Sequence, residues 1–142
     1  MEVQRVTTQC QLDEALRIRV AVFVTEQGVP QEAEIDEHEA LAEHILVYNE
    51  DKLPVGTGRF RIIDGIAKLE RICVLAAYRQ YGLGRQIVGK LEEIAKEQGL
   101  TKVKLHGQTH AEHFYNKLGY KRMSDVFIEE GIPHILMTKD LI

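Results

Sequence analysis

Cysteine is scarce in this chain: Cys10 and Cys73 are the only two among 142 residues. Two thiols do not make a disulfide framework, so a reducing cytoplasm is the expected location. No C-x-x-C pair occurs. No apolar run approaches the ~20 residues that a membrane-crossing helix needs, and the first residues lack the charged-then-apolar pattern of an export signal. Repeats, low-complexity tracts and Pro/Gly/Ser linkers are missing too. One domain with one core over residues 1–142 is therefore expected, with an ordinary hydrophobic fraction of 44%.

Lysine and arginine are missing from one long segment. Between Val20 and Asp51 there are nine acids and no base; the other 13 of the 22 acids and all 18 bases lie outside it, a balance of +5. The acidic segment reads as a solvated face or lid, or as an attractor for a cationic amine, and the basic remainder suits an anionic ligand. No Lys/Arg cluster points to nucleic acid. His38 and His44 stand among acids, but their spacing matches no zinc pattern, so both are expected to be solvated and no metal is expected.

Two phosphate-binding motifs are also missing. No G-x-x-x-x-G-K-[ST] loop occurs, and after Gly82 and Gly84 the third position of a dinucleotide turn is Ile87, with no acid about 20 residues on for a ribose. What is present is Arg79-Gln80-Tyr81-Gly82-Leu83-Gly84, followed by Arg85. It lies between a strand-like run, Ile66 to Leu75, and a helix-like run, Arg85 to Gln98. The first amides of a helix lack internal partners and carry partial positive charge. Glycines there remove the Cβ atoms that would hold an anion off the backbone, and Arg79 and Arg85 add full charges suited to phosphate.

Periodicity sets the frame around this turn. Val3 to Thr7 reads as a strand, Thr8-x-x-Gln11 as a capping box, and Leu12, Ala15, Leu16, Val20 and Phe23 place a helix over 12–24, ended by Gly28 and Pro30. A short helix is expected near Gln31 to Glu37. Strands follow at His44–Asn49, Val55–Ile63 and Ile66–Leu75, the last two joined by the hairpin signal Asp64-Gly65. The helix over 85–98 buries Ile87, Val88, Leu91, Ile94 and Ala95, with Glu92–Lys96 as a surface pair and Gly99 as its cap. Thr101–His106 is a strand and Ala111–Leu118 a short helix closed by Gly119. Tyr120–Phe127 and Ile132–Thr138 form a final hairpin around Glu130-Gly131. The order is β-α-(α)-β-β-β-α-β-α-β-β, a mixed α+β plan.

The pattern [RQ]-x-x-G-x-[GA] at 79–84, set between strand and helix in this order, resembles the coenzyme A loop of the GNAT superfamily of acyl-CoA N-acyltransferases. Phe114-Tyr115-Asn116-Lys117-Leu118-Gly119-Tyr120 is similar to that family's second signature. Phe23-Val24-Thr25-Glu26-Gln27, Glu34-Ile35-Asp36 and Glu129-Glu130-Gly131-Ile132-Pro133-His134 resemble its ElaA-like bacterial members. The resemblance covers nearly the whole chain and implies the GNAT fold, with acetyl-CoA as co-substrate. It implies that residues 79–85 hold the pyrophosphate and that the main chain of Ile72, Cys73 and Val74 pairs with the pantetheine arm. It also implies that Tyr115 is the acid serving the leaving thiolate. Where many members carry Asn, this chain has Gln108. Glu70, four residues before Val74 and taken to share its strand face, is a candidate base, as are Glu26, His110 and His134; a partner for Arg71 is the alternative role for Glu70. Cys73 reads as a small strand residue rather than a nucleophile, so direct transfer to an amine is expected. A coenzyme A-binding module without transferase activity and an interaction protein working through its acidic segment remain alternatives. The final hairpin offers an edge for a homodimer.

Overall fold

The computed structural model describes residues 1–39 and 41–141. Its elements in chain order are β1 (Glu2–Arg5), α1 (Gln9–Arg19), a π-helical segment (Val20–Glu26), α2 (Gln31–Glu34), β2 (Glu43–Tyr48), β3 (Pro54–Ile63) and β4 (Ile66–Val74). A 3₁₀ turn (Ala76–Tyr81), α3 (Leu83–Glu97), β5 (Lys102–Gln108), a second 3₁₀ turn (Thr109–Ala111), α4 (Glu112–Lys117), β6 (Lys121–Arg122), β7 (Phe127–Glu129) and β8 (Ile132–Asp140) complete it. All eight strands join one sheet in the order β1-β2-β3-β4-β5-β8-β6, with β7 also on β8. Each pairing is antiparallel except that of β4 with β5. The mixed α+β plan and its element order agree with the sequence expectation.

Local chemistry accounts for the ends of these elements. The Gln11 N–H donates to the Thr8 hydroxyl at 3.2 Å, and the Thr8 N–H donates to the Gln11 side chain at 3.1 Å. This reciprocal cap opens α1 at Gln9, three residues before the expected start. Asp64 and Gly65 turn with φ of 51° and 77°, as a two-residue hairpin requires.

The sheet is covered on both faces. Ala15 and Ile18 of α1 and Val22 of the π-helical segment pack with Leu46 and Cys73 on one. Leu83, Ile87, Val88, Leu91, Ile94 and Ala95 of α3 pack with Ile45, Phe60, Leu69 and Leu105 on the other. Each large apolar side chain buried this way contributes roughly 1.5–3 kcal/mol.

Three expectations are corrected. The helix foreseen over 12–24 leaves α geometry at Val20 and continues as a π-helix, which an apolar spacing near four residues does not distinguish. The strand foreseen over 120–127 is two fragments, because the Ser124 hydroxyl accepts the Leu136 N–H and replaces the ladder there. Glu92 does not pair with Lys96. It turns inward, accepting from the Tyr120 hydroxyl at 2.7 Å and from Lys139 at 3.0 Å.

Candidate active site

The parallel pair β4–β5 is short. Ala67, Lys68 and Leu69 pair with Val103, Lys104 and Leu105, and there the register ends. Beyond it the strands part, so β4 from Glu70 onward has no partner on that side. A bulge helps to open the gap. The β3–β4 register shifts between Thr57 and Arg59, and Arg71 opposite it adopts a φ of 57°. A left-handed arginine is strained by about 1–2 kcal/mol. Its side chain is held by Glu34 at 3.3 Å and Asp36 at 3.4 Å.

This bulge changes which residues share a face. Val74 pairs with Gly56 and Cys73 with Thr57, whereas Glu70 pairs with Arg59. An extra residue inverts the alternation, so Glu70 lies on the face of Cys73, opposite Val74, not on the face of Val74 as expected. Ile72 and Val74 do share a face and pack toward α3. Main-chain directions follow. The Leu75 N–H donates to Val55 at 2.9 Å, which places Leu75 and Cys73 in bonded pairs with β3 and turns the main-chain groups of Ile72 and Val74 toward the gap. Cys73 commits its main chain to Thr57, and its side chain is 6% exposed, with burial pushing the thiol pKa up.

At the open end of the gap the chain makes the turn at 79–84. Gly82 caps α3 at φ 71°, a conformation that costs glycine nothing, and an added Cβ there would meet open space. The 15-residue α3 therefore points its unpaired first amides outward. Gly84 also has a packing role: a Cβ there would lie 3.1 Å from the Phe114 ring, so it admits Phe114. Arg79 is already engaged, donating to the Val74 carbonyl at 3.0 Å and to both oxygens of Glu26 at 2.8 Å. Gln80, Tyr81 and Arg85 are exposed, while Leu83 is buried in the core.

Phe114 ties this turn to Tyr115. Their rings meet edge to face at 5.0 Å, and Tyr115 meets Tyr120 at 5.8 Å. Gly107 of β5 lets the Tyr115 ring lie on the strand, since a Cβ there would stand 3.3 Å from it. Tyr115 is 9% exposed and burial alone pushes its phenol up to about 12. Its hydroxyl is not among the sealed orphan polar atoms, which are His44 Nδ1 and Arg71 Nε among the described residues. Gln108, at the end of β5, donates to Gln27 at 3.0 Å. Gly107 was not foreseen as a site residue, and Phe114 stood in the 114–120 motif without a role of its own. Their partners are non-local, and no spacing signals them.

The acidic segment is not simply a solvated face. Arg19 and Arg59, each 1% exposed, bind Glu34, Asp36 and Glu39. Glu70 joins through Arg59 at 2.9 Å, Arg61 at 2.8 Å and Lys68 at 3.1 Å; it does not pair with Arg71. Desolvation acts against its charge, but these cations win and hold its carboxyl at about 2, far below what a general base at neutral pH requires. Glu26 is likewise paired, with Arg79. His44 is buried, not solvated. Its Nε2 donates to the Glu39 carbonyl at 2.8 Å, and burial lowers its pKa. No group of His, Cys, Asp or Glu among the described residues could hold a metal ion, and no described helix is long and apolar enough to cross a membrane.

Comparison with known proteins gives the same architecture. The family model described as "Acetyltransferase (GNAT) domain" matches residues 7–141. The Bacillus subtilis protein YyaT is 58% identical over 99% of this chain and 97% of its own length. ElaA of Escherichia coli is 34% identical over 93% of this chain and 89% of its own. A crystal structure of an acyl-CoA N-acyltransferase from Pseudomonas aeruginosa superposes with a TM-score of 0.88 at 26% identity, covering 98% of this chain and 99% of that one.

Proposed function

This chain belongs to the GNAT acetyltransferase family, and from that premise we propose that residues 1–142 work as one N-acetyltransferase domain moving the acetyl group of acetyl-CoA directly to an amine. The observation that carries the reading is the gap between β4 and β5. It presents unpaired main chain at Ile72 and Val74, opens at the exposed N-terminus of α3, and has Tyr115 on Gly107 at its β5 wall.

The residues fit an acyl-CoA. An extended amide-bearing arm can add to the unpaired edge of β4 as a strand does. The pyrophosphate is received by the amides after Gly82, with Arg85 beside them; Arg79 braces the turn through Val74 and Glu26. The Val74 N–H faces the gap and can polarise the thioester carbonyl. The carbonyl of Val74 is occupied by Arg79, so that residue offers a donor there rather than an acceptor. Gln108, at the end of β5, is assigned to the arm in the same reading. As the amine attacks, the C–N bond forms and the C–S bond breaks. The Tyr115 phenol, kept protonated by burial, supplies the hydrogen bond or proton that the thiolate needs. Cys73 is buried and its thiolate disfavoured, which supports direct transfer without an acyl-enzyme.

For the acceptor we favour a small-molecule amine. The pairing of Glu34, Asp36 and Glu39 with buried arginines removes three acids from those free to draw a cation to the surface. A cytoplasmic site of action and a homodimer through the β6–β7 edge, where Met123, Val126 and Ile128 are exposed, belong to the same proposal. The test is acetyl-CoA-dependent thiol release across a panel of polyamines, amino sugars and amino acids. Release that requires one class of amine supports the reading; acetyl-CoA binding without release to any would leave a binding module.

A further inference from the structure

Two protons leave the acceptor nitrogen during transfer from an ammonium. One departs before attack and one from the tetrahedral adduct. One ends on the leaving sulfur; the other must be carried to solvent. Glu70 and Glu26 are poor carriers, because both are already bound to cations. The proton needs another acceptor.

β5 shows where one lies. Val103, Leu105 and Gly107 face α3 and Tyr115, so Lys104, His106 and Gln108 project from the other face. There α1 packs over β2, β3 and β4 rather than over β5 and β8, whose side chains on this face are half-buried, with His134 itself 8% exposed. In the antiparallel register Gln108 stands opposite His134, and His134 stands opposite Phe127 of β7. His134 therefore sits one strand from the wide end of the β4–β5 gap.

Its chemistry is set by its neighbours. His134 Nδ1 lies 2.7 Å from the Ile132 carbonyl. A carbonyl only accepts, so Nδ1 carries the proton and Nε2 of the neutral ring keeps its lone pair. Nε2 has no hydrogen-bond partner among the described residues and is not a sealed orphan atom. Glu129 Oε2 stands 3.8 Å from it. The other oxygen of Glu129 accepts from His106 Nδ1 at 3.0 Å, and Phe127 meets the His106 ring edge-on at 5.0 Å and the His134 ring near-parallel at 6.2 Å. The charged or titratable groups facing this cluster are His106 of β5, Glu129 of β7, Lys68 of β4, which acts on Glu129, and the exposed His110 on the 3₁₀ turn against β8.

We propose that His134 is the base that takes the proton from the acceptor amine, with Glu129 and His106 as the residues that position it. Nε2 accepts the proton from the ammonium, directly or through one water, and the imidazolium that results stands beside the Glu129 carboxylate. His106 fixes that carboxylate. After the C–S bond breaks, the second nitrogen proton balances the thiolate through Tyr115, and His134 returns its own proton to solvent through Nε2, the ring atom that is not sealed. The inference rests on the acetyltransferase reading above.

The test uses the full chain with acetyl-CoA and the amine panel, following thiol release from pH 5.5 to 9. In the wild type, kcat/KM should fall on the acid side with a one-proton slope. His134→Gln should lose about 100-fold at neutral pH and lose that acid limb. Glu129→Gln should lower the high-pH plateau about 3- to 10-fold, because the base loses a residue that positions it, and the limb should move to lower pH, because removing a carboxylate disfavours the imidazolium. Both variants should retain thermal stabilisation by acetyl-CoA. If His134→Gln fails to fold, the limb shift in Glu129→Gln decides alone. A wild type that transfers, with His134→Gln equally fast or the Glu129→Gln limb unmoved, overturns this assignment and leaves the acetyltransferase reading intact. A wild type that neither binds acetyl-CoA nor releases thiol overturns both.

Discussion

Replacing Tyr115 by Phe removes a single oxygen, and its surroundings allow the consequence to be worked out. The ring is held by Phe114, Tyr120 and the bare surface of Gly107, all contacts that Phe reproduces. Among the described residues the hydroxyl forms no hydrogen bond whose loss would orphan a partner, so the change in stability should stay within about 0.5 kcal/mol. Turnover should fall roughly 10- to 1,000-fold, or about 1.4–4 kcal/mol of barrier. The pH dependence is more specific. A phenol at its ordinary value near 10 would be about a quarter ionised at pH 9.5, and the advantage of Tyr over Phe would begin to shrink. Burial pushes Tyr115 up to about 12, so the wild-type to variant ratio should be flat between pH 6.5 and 9.5. The assay is thiol release at saturating acetyl-CoA across that range. Equal turnover removes Tyr115 from the chemistry. A ratio that collapses as the pH approaches 9.5 contradicts the buried, protonated acid.

Other perturbations reach the remaining parts of the account. Gly82→Glu should abolish acetyl-CoA binding by bulk and charge, whereas Gly82→Asn, which tolerates a φ of 71°, should retain it; calorimetric titration separates backbone strain from repulsion. Arg59→Met leaves Asp36, Glu39 and Glu70 short of a cation that is 1% exposed, and urea unfolding should show a loss of about 3–5 kcal/mol; a loss under 1 kcal/mol would show that the network is dispensable. Glu70 is held at about 2 from an ordinary value of 4.5, so the unfolded chain takes up the proton first. Its contribution, roughly 3 kcal/mol, is full above pH 4.5 and is lost as the pH falls toward 2. Glu70→Gln should therefore flatten the acid limb of stability, and an unchanged limb would contradict the pairing.

What the sequence allows to be read, and what it does not, divides along physical lines. Local rules are visible. Asp64-Gly65 demands left-handed turn residues, Thr8 and Gln11 satisfy each other three residues apart, and Gly82 precedes an amphipathic helix. Each is decided by neighbours in the chain. The bulge at Arg71 is not visible, because nothing about arginine advertises a φ of 57°; contacts to Glu34 and Asp36, more than 30 positions away, hold it. That hidden residue reversed the face assigned to Glu70. Glu92 shows the same limit: its spacing to Lys96 suggests a surface pair, yet Tyr120 and Lys139 draw it inward. The acidic run from Glu26 onward was legible as charge, but not as the buried partner of Arg19 and Arg59. The motifs at 79–84 and 114–120 could be read, whereas Gly107 and the approach of Phe114 to Gly84, which bring them together, could not.

The most direct test of the central claim is thermal stability with acetyl-CoA, coenzyme A, NADH and ATP, each at ~1 mM. A ligand at 100 times its Kd adds about 2.7 kcal/mol to folding, a shift of several degrees. The account predicts that shift with the two coenzyme A species alone, and its loss in Gly82→Glu. No shift with either, or an equal shift with NADH and ATP, would contradict an acyl-CoA site in the gap between β4 and β5.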